Sequence, residues 1–156
     1  MSVVPTPKHQ VAVELLVAAL RSYVENKAYY AALHLAGGAE EVLSVYARGM
    51  QLESGEPMVP AYDSFKDAVV ALSGPRSEKE REAGHKAVAD LLNRAKNSVK
   101  HKYGVGDELV SFDAKEDSAE VIDRAVTTYF QVQASLNLPD LPLVAEFDAS
   151  RRERTG

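Results

Sequence analysis

Cysteine is missing from all 156 residues, which excludes a disulfide framework, a thiolate nucleophile and any Cys-containing zinc site. Four histidines and the carboxylates are left as metal ligands, and His9, His34, His85 and His101 fall at no metal-binding spacing, so neither metal nor cofactor is expected. Basic charge is also short. A formal net charge of -5 argues against coating nucleic acid by bulk electrostatics, though it leaves room for a local basic patch. No apolar run approaches the roughly 20 residues needed to cross a bilayer, and MSVVPTPKHQ lacks the basic and apolar regions of a signal peptide. The expected location is the cytoplasm, away from the membrane. A phosphate-binding loop, a dinucleotide fingerprint and a GxSxG elbow are all absent, and GVG at 104–106 is too short to carry meaning.

What is present is ordinary globular composition, 46% hydrophobic and 26% charged, in a chain of a length that fits one domain. Residues 1–148 are expected to form a single helical domain, and 149–156 a disordered charged tail. Thr6 and Pro7 open PKHQVAVELLVAALRSYVENK as N-cap and first-turn residue, with Val13, Leu16, Val17, Leu20 and Val24 as the buried stripe. A second helix is predicted from Tyr29 to Arg48, with Leu33, Ala36, Leu43 and Ala47 on one face. Its Gly37-Gly38 pair costs roughly 1 kcal/mol per glycine relative to alanine, which points to close packing against another helix or to a local bend, close packing being the expectation.

The aperiodic GMQLESGEPMVP reads as a loop, and AYDSFKDAVVALSG as a short helix with Tyr62, Phe65, Val69 and Leu72 inward. Ser77 and Glu80 stand at capping-box spacing before the longest periodic run, whose stripe is Ala87, Val88, Leu91, Leu92, Ala95 and Val99. YGVGDELVSFD reads as a loop. Asp113 and Glu116 repeat the capping spacing before a fifth helix with Ala119, Ile122, Ala125, Val126, Tyr129 and Val132 or Gln133 inward. Pro139 and Pro142 break the end, where Leu141, Val144 and Phe147 lie on the bundle. The expected fold is all-α, an up-and-down-like bundle of about five helices.

Chemistry concentrates in LLNRAKNSVKHK, residues 91–102. At about 100 degrees per residue, Arg94 and His101 lie about 20 degrees apart on the flank of the apolar stripe, with Asn97 a step outward. Lys96 falls about 140 degrees from His101 on a regular helix, so Arg94 is the geometric companion of His101. Glu40 projects close to the centre of the second helix's apolar stripe, with Glu41 nearer its border. A carboxylate there needs a cation, and Arg94 and His101 are the natural candidates. The plain structural alternatives are a buried pair locking two helices in register, and Lys100, His101 and Lys102 complementing the helix dipole in a last turn.

The stretches AYYAALHLAGGAEEVL, NRAKNSVKH and SAEVIDRAVTTYF together resemble bacterial proteins of the HEPN superfamily over roughly residues 8–135. The resemblance implies a helical bundle that forms a homodimer. It also implies an Arg, four to six intervening residues and a His near a helix end, which in catalytic members meet across the dimer and cleave RNA without metal. His101 matches that His, and Arg94 matches the Arg at the maximum spacing of six, with Asn97 and Lys100 as accompanying polar residues. Laying KNSVKH over the pattern Arg-Asn-x-x-Lys-His instead puts Lys96 at the key position, and Ala95 rather than a polar residue follows Arg94. Lysine cannot make the planar bidentate phosphate contact of arginine.

Two readings follow from the resemblance. One is a dimeric domain with a binding or interaction role toward RNA, a nucleotide or a protein partner such as an antitoxin or a nucleotidyltransferase. The alternative is a metal-independent ribonuclease, as the toxin of a toxin-antitoxin pair. In it the ribose 2'-OH attacks phosphorus to leave a 2',3'-cyclic phosphate, His101 moves the proton and Arg94 stabilises the phosphorane charge.

Overall fold

A computed structural model describes residues 3–75 and 77–152, and the described residues form six α-helices without a strand. They are α1 (Lys8–Val24), α2 (Tyr29–Arg48), α3 (Ala61–Leu72), α4 (Glu78–Lys100), α5 (Ala114–Leu136) and α6 (Leu143–Arg152). The fold is an all-α bundle, with one helix more than the five expected. The core lies where α2 packs on α5 and α1, its two most extensive neighbours; α6 covers α1, and α3 and α4 lean together on the far side. No helix among the described residues is long and apolar enough to cross a membrane.

Local chemistry sets the helix ends. Ser77 accepts from the Glu80 amide at 3.2 Å and the Glu80 carboxylate accepts from the Ser77 amide at 3.1 Å, the reciprocal capping box that starts α4. Asp113 accepts from the Glu116 amide at 3.0 Å to start α5, and Asn137 closes it in the left-handed conformation at φ 51. At α1 the expected cap is corrected: Pro7 occupies the N-cap position and no side-chain bond caps the helix, so Thr6 does not serve.

The sixth helix corrects the reading of the C-terminus. Pro142 immediately precedes Leu143, where a missing amide hydrogen costs a helix nothing, so proline there starts a helix instead of ending one. Glu146 in the first turn and Arg151 and Arg152 in the last suit the helix dipole. Residues 149–152 are therefore helical, while 153–156 lie outside the described residues. Leu141 and Phe147 are buried and Val144 packs against the core, as expected; Phe147 meets Tyr23 edge-on at 5.1 Å. The Tyr129 hydroxyl donates to the Pro139 carbonyl at 2.6 Å, pinning the turn into α6.

The Gly37-Gly38 pair marks close packing as expected. A Cβ at Gly37 would stand 2.8 Å from Lys96 Cδ of α4, and one at Gly38 would stand 3.2 Å from Leu15 Cδ1 of α1. Leu33, Ala36, Leu43 and Ala47 are buried on α2, and the predicted stripe of α5 is buried from Ala119 to Val132. On α1, Leu16 and Leu20 are buried, but Ala12, Ala19 and Tyr23 complete the inner face and Val13, Val17 and Val24 are only half-buried.

The inward faces of α3 and α4 differ most from expectation. In α3 only Val70 is buried; Tyr62 and Val69 are half-buried, while Phe65 and Leu72 point outward. Across α4's 23 residues only Ala95 and Lys96 are buried, and Ala87 and Leu91 of the predicted stripe are exposed. These helices rest chiefly on each other and on one edge of α2 and α5, so an apolar stripe exists without enough neighbours to cover it.

Candidate functional site

Glu40 is buried as its position on the apolar stripe requires, and two cations meet it. Lys96 Nζ of α4 donates to Oε2 at 2.8 Å, and Arg124 Nε of α5 donates to Oε1 at 2.6 Å. This corrects the expectation that Arg94 or His101 would be the partner: both are exposed. Neither turns toward Glu40 because α4 presents the Ala95–Lys96 side to α2, which places Arg94 on another flank, where its charge acts on Asp117. His101 is the C-cap of α4, with extended backbone at φ -130 and ψ 141, so the wheel that set it beside Arg94 stops one residue short. Its ring lies against Tyr103, with centroids 5.5 Å apart.

Tyr62 of α3 completes the cluster. Its ring centroid lies 5.4 Å from Lys96 Nζ and 5.9 Å from Arg124 Cζ, within reach of cation–π attraction. Its hydroxyl accepts from Asn93 Nδ2 at 3.0 Å. Burial pushes the phenol above its ordinary range, so it stays a neutral O–H donor at physiological pH. Four helices thus meet around one carboxylate. Burial also pushes the Asp117 carboxyl up, with Asp113 adding to the effect and Arg94 opposing it.

In front of the cluster is a cavity of about 340 Å³ lined by Ser44, Tyr62, Asn93, Lys96, Asn97 and neighbouring α2 residues. Of the polar residues singled out from sequence, Glu40, Glu41, Lys96 and Asn97 come together here, and Lys100 reaches Glu41 at 3.3 Å. Arg94 and His101 are not part of it. Arg124 and Tyr62 were missed by sequence reasoning. For Arg124 a signal existed: it sits within the buried Val121, Ala125 and Thr128 face of α5, the same anomaly that exposed Glu40.

A second clamp holds α3 to the end of α2. Arg48 donates to Asp63 through Nε at 2.6 Å and Nη2 at 3.0 Å, and Lys66 stands 3.6 Å from the same carboxylate. The bond from Arg48 holds the Asp63 carboxyl below its usual range and raises the Arg48 guanidinium. A lowered folded value means stability that is present above the unfolded pKa of about 4 and lost as pH falls through the folded one. Asp63→Asn is therefore expected to destabilise at pH 7 by no more than about 1 kcal/mol, since Arg48 is half exposed. In urea unfolding at a series of pH values, the gap from wild type should close below about pH 4. A gap that stays constant to pH 2 would contradict this.

No family model, no curated protein and no solved structure matches the chain.

Proposed function

We propose that this chain is a HEPN-like interaction domain that pairs with a second copy of itself through α4 and has no ribonuclease activity of its own. The observation that carries the proposal is the uncovered face of α4. A helix about 34 Å long buries two side chains and leaves Leu91, at its middle, 66% exposed. The loop that continues from it adds exposed Tyr103, Val105 and Leu109. Exposed apolar side chains along α4 and the loop after it offer a partner surface to cover.

Charge favours a second copy as the occupant. Residues 78–90 carry Glu78, Glu80, Glu82 and Asp90 beside Lys79, Arg81 and Lys86, whereas residues 91–102 contain no carboxylate and carry Arg94, Lys100 and Lys102 besides the buried Lys96. A helix with all its carboxylates in one half and only cations in the other is complementary to itself when antiparallel. That is the arrangement a twofold axis near Leu91 produces.

The placement of the cations supports the non-catalytic reading. Lys96, which takes the motif position in one alignment, is consumed by Glu40, and Arg94 and His101 lie exposed on different surroundings. Single-stranded RNA and transfer RNA incubated in EDTA are expected to remain intact with wild type and with His101→Ala alike. Cleavage by wild type that leaves 2',3'-cyclic phosphate ends and disappears in His101→Ala would overturn the reading in favour of the ribonuclease.

A further inference from the structure

We infer that a second copy seats its loop 103–109 on the exposed end of α3, so that Leu72 of each chain is covered by Tyr103, Val105 and Leu109 of the other. This rests on the pairing through α4 proposed above and names its outer contacts. Leu72 is 89% exposed, and Tyr103, Val105 and Leu109 are at least 71% exposed. Val3 and Val4 of the N-terminus aside, these four are the most exposed large apolar side chains among the described residues. Apolar surface of that extent calls for a cover.

The two apolar groups lie at opposite ends of α4. Helices α3 and α4 form an antiparallel hairpin: Tyr62 is bonded to Asn93, Asp67 stands 3.5 Å from His85, and a Cβ at Gly84 would stand 3.3 Å from Val70 Cγ1. Leu72, two residues beyond Val70, therefore lies level with Glu82. The loop is at the other end and folds back on the last turn of α4, where Leu109 and Val110 border one cavity with Ser98, Val99 and Lys100. From Glu82 to Lys100 the helix rises about 27 Å, so within one chain neither apolar group can cover the other.

An antiparallel copy related by a twofold axis near Leu91 exchanges the two ends. Glu82 then stands level with the partner's Lys100, each Leu72 meets the partner's loop, and the contact is made twice. Lys100 and Lys102, each paired with one exposed carboxylate of its own chain, stand level with the partner's Glu82 and Glu80, so opposite charges line the rim. The loop is also braced for docking. Asp107 accepts from the Tyr103 amide at 2.7 Å, and Lys102 bonds the Gly104 carbonyl at 2.9 Å and Glu108 at 2.8 Å. A loop already held by its own bonds loses less conformational entropy when a partner covers it.

The chain has no cysteine, so introduced thiols are the only ones present. Leu72→Cys and Tyr103→Cys are made separately, mixed, and treated with a short bis-maleimide crosslinker; circular dichroism melts confirm that both fold. The mixture is expected to give a covalent species of twice the 17.0 kDa chain mass, roughly tenfold more abundant than in either variant alone. Either variant alone should link poorly, because identical positions of the two copies lie about 27 Å or more apart along α4. In sedimentation equilibrium Leu72→Asp should weaken self-association roughly tenfold. A dimeric wild type whose mixed variants give no link, or whose single variants link as readily as the mixture, would overturn the inference and leave the pairing standing. So would a Leu72→Asp dimer as tight as wild type. A wild type of chain mass would overturn the pairing, and this contact with it.

Discussion

Glu40→Ala is expected to cost about 3–5 kcal/mol of folding free energy, the largest effect of any single substitution at the cluster. The reason is the asymmetry between making and breaking a buried ion cluster. Glu40 is 1% exposed, and its two oxygens are the hydrogen-bonded anions for Lys96 and Arg124, themselves buried. Removing the carboxylate leaves two buried cations in a low-dielectric site with the Tyr62 ring as compensation. For a domain of this size the melting temperature should fall by about 10 °C or more. Replacing Glu40, Lys96 and Arg124 together with Leu, Met and Met should recover most of that loss, because apolar side chains of similar volume often replace a buried ionic triad without penalty. A Glu40→Ala loss below about 1 kcal/mol would mean that the cluster is open to water.

Leu91→Glu is expected to weaken self-association by on the order of 100-fold or more, while changing the stability of the monomer by no more than about 0.5 kcal/mol. The two halves of the prediction follow from one number. At 66% exposure Leu91 contributes little to the folded monomer, so a carboxylate there remains solvated. At a twofold axis the same substitution places two like charges close together in desolvated surroundings, and every loss counts twice. Sedimentation equilibrium and urea unfolding of the same preparation separate the two effects. A variant that loses monomer stability instead would show that Leu91 belongs to the core.

Much of the fold was legible because helix ends carry their own chemistry. The Ser77–Glu80 box and the Asp113 cap report on backbone groups a few residues away, and the glycine pair of α2 on the close approach of other helices; each was read correctly. The same locality explains α6. Pro142 has one meaning after a helix and another before one, and Phe147 is buried, with Leu143 and Val144 half-buried beside it, where Tyr23 of α1 stands opposite. The outward Phe65 and Leu72 show the complementary limit: a periodic stripe says that a helix has an apolar face, and only the neighbours decide whether it is covered.

The site divides along the same line. That Glu40 is buried followed from its place among Leu33, Ala36 and Leu43. Which cations answer it depended on the rotation of α4 and on a helix more than 80 residues away, since Arg124 stands 84 positions along the chain. The wheel correctly separated Lys96 from Arg94; what it lacked was the side of α4 that meets α2. With Lys96 turned inward, the motif's remaining basic residues, Arg94 and His101, stay at the surface. That arrangement supports the non-catalytic half of the proposed role, whose pairing rests on the uncovered face of α4.

The mass of the wild-type chain in solution, measured by sedimentation equilibrium at micromolar concentration, tests the central claim most directly. Pairing through α4 predicts twice the chain mass of 17.0 kDa, falling to the chain mass in Leu91→Glu. A single species of 17.0 kDa for wild type, or a dimer that Leu91→Glu leaves intact, would contradict it.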